Sequence, residues 1–305
     1  MPSKLFCDFT RVSTRVLCPI CSKPDWCLVG KPGTDFEGCA ICQRTVSPFR
    51  FRDAGWLHRP CAAIRSKPGL LRKSMLSWRQ GDAEQLARFA ASATASLSAE
   101  SLRSLSQRLD LTIESLRRLG VGEVSRHLAD EYKIAWADAA WTFPMHDAAG
   151  AVTGIRLRLR DGSKYALPGG REGLFVPVDV AEAPEQLLIC EGPTDTAAML
   201  DLGFPAVGRP SCGGGKREIL TFVKTFNPRS VVVVADRDEA GVRGARDLAC
   251  ALATRVAEVR IVEPPVGVKD ARSWKRSGGS VADVRAAISA SPPLRSSILV
   301  RRGGR

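Results

Sequence analysis

The strongest constraint on the fold lies between residues 185 and 276, where short apolar runs alternate with stretches of helical period. Leu187 to Cys190 reads as a buried strand, Thr194 to Leu202 as a helix and Ala206-Val207 as a short strand. Lys216 to Phe226 follows as a helix, Ser230 to Ala235 as a strongly apolar strand and Ala240 to Ala253 as a helix. Val259 to Val262 is a fourth strand and Asp270 to Arg276 a short helix. Strands that are apolar throughout are buried on both faces, so the pattern predicts an α/β unit whose parallel sheet is flanked by helices, Rossmann-like in kind.

Acids stand where this pattern places chemistry. Glu191 follows the first strand directly and is succeeded by Gly192 and a helix that carries Asp195. About 45 residues on, the apolar strand runs into Asp236-Arg237-Asp238, with Gly241 beyond. The carboxyl edge of an open α/β sheet is where ligands bind. Alternation along an extended strand end puts Asp236 and Asp238 on one side. Converging carboxylates repel one another, and a hard cation such as Mg2+, or Mn2+ in its place, resolves the repulsion. The plainer alternative is that Asp238 caps the next helix and Glu191 is a solvated loop acid.

Upstream, the period changes from helical to two. Leu86, Phe89, Leu97, Leu102, Leu105, Leu109, Ile113, Leu116 and Leu119 recur mostly at three- and four-residue steps, with an Ala/Ser-rich piece at 90–99 that could act as a hinge. From Trp141 the residues alternate, turning at His146 to Gly150 and again at Asp161-Gly162 before Lys164 to Leu167. Arg156, Arg158 and Arg160 fall on one side of this antiparallel meander and give it a cationic face.

The first 60 residues are short on helical periodicity and rich in cysteine, proline and glycine. Cys18-Pro-Ile-Cys21 and Cys39-Ala-Ile-Cys42 are separated by 17 residues, the spacing of a zinc ribbon with a closed, structural Zn2+ site. Cys27 could replace Cys39, and His58 could also enter the shell; Cys7 and Cys61 are read as ordinary thiols. A basic stretch from Arg59 to Arg79 reads as a linker.

The resulting division is a ribbon at 1–62, a basic helical linker at 63–100, a small α+β basic subdomain at 101–183, the parallel α/β domain at 184–291 and a disordered tail at 292–305. Net charge is +13 with a pI near 9.6, which favours a polyanionic partner. No apolar run reaches spanning length, so no membrane partner is expected and a cytoplasmic location is.

A Glu-Gly after one strand and Asp-x-Asp-x-x-Gly after another resembles the TOPRIM signature of primases, topoisomerases, RecR-type repair proteins and some nucleases, over roughly residues 184–290. Lys269-Asp270 resembles a Lys-Asp element near that site in bacterial primases. Trp141 to Arg156 is similar to the primase segment in which a Phe-Pro strand turns through a hairpin, and Lys164 and Arg171 sit where those enzymes carry basic residues facing the cleft. Ribbon, basic subdomain and TOPRIM domain stand in the primase order.

The resemblance implies primer synthesis on single-stranded DNA from nucleoside triphosphates. Asp236, Asp238 and Glu191 would hold metal, with Asp195 and Asp270 orienting its shell. Lys164, Arg171, Lys269 and either Arg209 or Lys216 would meet phosphates. Trp26 or Trp56 would stack on the template. Gly213 to Lys216 lacks the spacing of a nucleotide-binding P-loop and no helicase motif is present, so either a separate helicase works with the chain or it acts alone. A TOPRIM nuclease and a non-catalytic nucleic-acid-binding module are the rival readings.

Overall fold

The structure is a computed structural model that describes residues 9–34, 36–47, 49, 55–58 and 83–294. Cys7, Cys61, the basic stretch Arg59 to Arg79 and all of the tail beyond residue 294 lie outside the described residues. The chain divides into two compact units, Met1–Arg79 and Gln80–Arg305.

The first unit is a four-stranded antiparallel meander of β1 (Phe9–Arg11), β2 (Leu28–Gly30), β3 (Ala40–Cys42) and β4 (Trp56–His58), paired in that order. Its strands are three residues each, too short to enclose a core on their own. One face packs Phe9, Cys39, Ile41 and Leu57; the other packs Val12 against Cys18, Cys27 and Cys42.

The second unit opens with α1 (Ala83–Ser96), α2 (Ala99–Leu109) and α3 (Ile113–Arg118). The Ala/Ser-rich piece is no hinge up to Ser96: α1 runs through it and breaks only at Leu97-Ser98, where the Ser98 side chain accepts from the Ser101 N–H and starts α2. Thr112 caps α3 in the same way, on the Ser115 N–H.

A second antiparallel sheet follows in the order β5 (Gly122–Glu123), β6 (Trp141–His146), β7 (Val152–Arg158) and β8 (Lys164–Ala166), with α4 (Arg126–Glu131) inserted after β5. Both expected turns form. Asp147 Oδ1 accepts from the Ala149 and Ala151 N–H groups, and Asp161 Oδ1 from the Ser163 N–H.

The third sheet is wholly parallel. Its strands are β9 (Gln186–Glu191), β10 (Ala206–Arg209), β11 (Ser230–Val234) and β12 (Glu258–Val262), ordered β10-β9-β11-β12. The connecting helices are α5 (Gly192–Asp201), α6 (Lys216–Phe226) and α7 (Glu239–Leu252); α8 (Ala271–Arg276) and α9 (Val281–Ala290) follow. The periodicity had not separated α9, which a Ser280/Asp283 capping box starts.

Alternation sorts the strand residues onto two cores. Leu188, Cys190, Val232, Val234 and Val262 pack with α5, α8, α9, the α2–α3 helices and the β6 side chains Trp141, Phe143 and Met145. Leu187, Ile189, Val207, Val231 and Val233 pack with α6 and α7. Each fully buried Leu, Ile or Val contributes about 1.5–3 kcal/mol. The first residues of the expected tail are part of this unit, since the Leu294 N–H donates to the Val259 carbonyl on the edge strand β12. Among the described residues, no helix is long and apolar enough to cross a membrane.

Candidate active site and cysteine cluster

Strand β9 leads through α5 to β10 on one side, while β11 returns to its other side. The β9/β11 boundary is therefore where the chain reverses direction across the sheet, the crevice at which open α/β sheets bind ligands. Glu191 ends β9 and Asp236 lies just past β11, at that crevice.

Local geometry leaves these acids available. Glu191 precedes α5 but makes no capping bond, and the chain turns away through Gly192 at φ +77°, a conformation that glycine adopts without strain. In Asp236-Arg237-Asp238 the middle side chain points elsewhere, its Nε donating to the Pro264 carbonyl. Asp238 does cap α7, accepting from the Gly241 N–H at 2.8 Å through Oδ1, and it also lines the cavity. The two readings of Asp238 are therefore compatible. A Cβ on Gly241 would stand 2.5 Å from the Asp236 carbonyl oxygen, so the glycine of Asp-x-Asp-x-x-Gly lets α7 close against Asp236.

A cavity of about 300 Å³ gathers Glu191, Asp195, Asp236, Asp238 and Asp270. Asp270 caps α8 through the Ser273 N–H, and the Arg237 N–H donates to the Lys269 carbonyl, tying the two acidic loops together. Burial, then the charge of Asp270, push Asp195 up to about 7. Asp236 also rises to about 7, first by burial and then by Asp195 and Glu191. Glu191 is raised by burial too, with Arg209 opposing, and its Oε2 is buried without a hydrogen-bond partner.

The opposite wall is cationic. The register Phe143↔Arg156 and Arg158↔Lys164 puts these four side chains on one face of the second sheet, and all four line the cavity, with Lys269 and Arg272 across from them. Lys164 is lowered by burial and by Arg158. Arg158 is lowered by burial and then by Arg272 and Arg108, so its charged neighbours there repel it.

The structure thus brings together Glu191, Asp195, Asp236, Asp238, Asp270, Lys164 and Lys269. It adds Arg156, Arg158 and Arg272, which sequence reasoning had not singled out as site residues; the alternating arginines of β7 were the available signal. Arg171 and Lys216 do not line this cavity. Arg171 borders a separate polar pocket with Glu172 and Arg217. Arg209 is almost fully buried at 2% exposure, behind Glu191 rather than in the cavity.

In the first unit the sulfurs of Cys18, Cys21, Cys27 and Cys42 lie within 4.8 Å of one another. The expected membership of Cys39 is corrected, with Cys27 in its place. Cys39 and Cys42 are three apart along an extended segment, so they face opposite sides, and Cys39 packs with Phe9 and Ile41. His58 stays out of the cluster, its Nε2 lying 2.9 Å from the Thr45 carbonyl oxygen.

Cys42 Sγ accepts from the Thr45 and Arg44 N–H groups at 3.2 and 3.4 Å. Burial pushes Cys27 to about 12, whereas at Cys21 the Lys23 N–H and neighbouring thiols outweigh burial and bring it to about 7. Four thiols at one point, three of them buried, form a donor set that suits a tetrahedral zinc ion. Trp56 is buried at 5%, while Trp26 is 67% exposed.

No family model matches the chain, and no curated relative matches it. Solved structures do. A DnaG primase catalytic domain bound to single-stranded DNA aligns with a TM-score of 0.55 at 20% identity, over 71% of this chain and 80% of that one. The Escherichia coli primase catalytic core aligns at 0.55 and 19%, over 70% and 80%. The zinc-binding and RNA polymerase domains of Aquifex aeolicus primase align at 0.55 and 19%, over 70% and 61%. The chain therefore carries the fold of the DnaG-type TOPRIM primase catalytic core, together with a four-cysteine cluster of the zinc-ribbon kind.

Proposed function

We propose that the chain is a DNA primase or primase-like nucleotidyltransferase that joins nucleotides on a single-stranded DNA template. The observation that carries this reading is the cavity itself: five carboxylates at the reversal point of the parallel sheet, faced across about 300 Å³ by a row of half-buried arginines and a lysine.

The acids fit a divalent metal. They are an all-oxygen donor set, burial and mutual repulsion hold two of them up to about 7, and Glu191 Oε2 has no hydrogen-bond partner. Asp236, Asp238 and Glu191 would hold Mg2+, with Asp195 and Asp270 fixing the elements around them. When bound, such an ion lowers the pKa of an attacking 3′-hydroxyl and neutralises charge on a pyrophosphate leaving group.

The remaining work falls to the chain. Lys164, Arg158, Lys269 and Arg272 hold the phosphates of the nucleoside triphosphate or template against the acidic edge. Pro210, which also lines the cavity, offers apolar surface to a base. Asp195 accepts from the Arg272 N–H and so keeps the first turn of α8, with Asp270 and Arg272, at the cavity. In the first unit, Cys18, Cys21, Cys27 and Cys42 would bind Zn2+, and the exposed Trp26 is the ribbon tryptophan that can stack on a template base.

The test is primer synthesis on a mixed single-stranded DNA template with labelled ribonucleotides and Mg2+, the Asp236→Ala/Asp238→Ala double variant beside the wild type. Short oligomers from the wild type alone support the proposal. Template cleavage without synthesis identifies a nuclease. Tight DNA binding with neither product, unchanged by chelation of Mg2+, identifies a binding module.

A further inference from the structure

The loop Pro210–Gly215 forms part of the cavity wall through Pro210, and its anchor is Arg209, the last residue of β10. Nη1 of Arg209 donates to the Cys212 carbonyl at 2.6 Å and to the Gly244 carbonyl on α7 at 3.1 Å. The Cys212 backbone N–H lies close to the Glu191 carboxylate. Nη2 of Arg209 stands 3.9 Å from Glu191 Oε2, and neither atom has a hydrogen-bond partner of its own. Arg209, Cys212 and Glu191 thus lie together at the acidic edge, between β10, the loop and β9.

A residue that only filled this space would be apolar, because burying a guanidinium is unfavourable unless its charge is used. Here the charge abuts the carboxylate that ends β9, and Nη1 of the same guanidinium pins the loop that lies beside that carboxylate. We propose that Arg209 is a positioning residue for Glu191. It fixes the orientation of the Glu191 carboxylate and locks the 210–215 loop as a wall of the cavity. The assignment rests on reading the cavity as a divalent-metal site, and it removes Arg209 from the set of phosphate ligands.

Two readouts on the full chain test it separately. The first is Mn2+ binding followed by electron paramagnetic resonance, in wild type, Arg209→Met, Glu191→Gln and the double variant. Acting through Glu191, Arg209→Met weakens Mn2+ binding by about tenfold in the wild-type background and leaves the Glu191→Gln protein unchanged. An equal loss in both backgrounds, or none in either, overturns the positioning role.

The second readout is the rate of iodoacetamide labelling at Cys212, read by peptide mass spectrometry against the exposed Cys250. Release of the loop raises labelling at Cys212 alone, and Arg209→Lys, which keeps the charge but ends short of the Nη1 position that holds the Cys212 and Gly244 carbonyls, does the same with the fold intact. Unchanged Cys212 labelling overturns the clamp. A wild type that binds no Mn2+ while Arg209→Lys still exposes Cys212 overturns the metal reading of the cavity and the Glu191 role, and leaves the clamp standing.

Discussion

The backbone N–H of Arg272 donates to Asp195 Oδ1 at 2.9 Å, so one buried carboxylate joins the first turns of α5 and α8. That acid and Asp236 both sit at about 7, far above the ordinary range for aspartate, chiefly through burial.

The consequence for stability has a definite sign. A carboxyl raised in the folded state binds its proton more tightly there than in the unfolded chain. Its contribution is fully present below the unfolded value near 4 and is lost as pH rises through about 7. In chelator, the melting temperature should therefore climb as pH falls from 8 to 6, with each kcal/mol worth about 2–4 °C in a unit of this size. Saturating Mg2+ should flatten the slope, as should Asp195→Asn. A calorimetric series in which the metal-free protein melts higher at pH 8 than at pH 6 would contradict the assignment.

The cysteine cluster gives a second contrast. Cys27→Ser should lose the zinc ion, because it removes one of four converging sulfurs. Cys39→Ser should retain one zinc per chain and cost about 1–3 kcal/mol of packing in the ribbon core. Zinc content by elemental analysis, with dye-monitored release, separates the two. Metal lost from Cys39→Ser and kept in Cys27→Ser would reverse the ligand set.

Gly241→Ala should cost more than a surface substitution on a helix. Its Cβ would stand 2.7 Å from Asp236 Cβ as well as close to that residue's carbonyl, so either α7 or the acid must move. The expected result is a loss of about 100-fold in synthesis with DNA affinity nearly unchanged, since displacements of about 1 Å at a reacting centre have this effect. Gel assays of primer yield beside filter binding of labelled template decide it.

The cationic wall should be legible in salt. Arg158→Ala and Arg272→Ala should each weaken single-stranded DNA or nucleotide binding, and for every phosphate left without its cation the log–log salt slope should become shallower by about 0.7. Arg171→Ala, outside the cavity, should leave the slope unchanged. Titrations at several salt concentrations report the slopes; an Arg171 effect equal to that of Arg158 would restore Arg171 to the site.

Much of this was legible in the sequence because apolar periodicity and turn chemistry are local. The all-apolar strands at Leu187 and Val231 and the hairpins at Asp147 and Asp161 required no knowledge of distant residues. The acids Glu191, Asp236 and Asp238 were found for the same reason, since a strand end names its own edge of the sheet.

The errors arose where the answer depends on what the backbone does between two residues. A pair of cysteines spaced by two residues converges only if the chain turns. Cys18-Pro-Ile-Cys21 turns, with the Ser22 N–H bonding back to the Cys18 carbonyl, whereas Cys39-Ala-Ile-Cys42 stays extended and splits its thiols between faces. Arg209 was misplaced because burial of a charged side chain is set by tertiary packing, here by α7 and the 210–215 loop. Arg272 entered the site through a fold-back of 77 residues onto Asp195, which no local pattern encodes.

The core that joins Trp141, Phe143 and Met145 to Leu188, Val232 and Val262 is one continuous cluster, and it has a consequence for cooperativity. On one apolar face of the parallel sheet α5, α8 and α9 cover part of the area, and the helices and antiparallel sheet that precede the parallel strands cover the remaining area of that face. Residues 83–294 should therefore unfold as a single thermodynamic unit, and the segment from residue 184 onward, severed from what comes before, should expose that face and aggregate rather than persist as a free-standing domain.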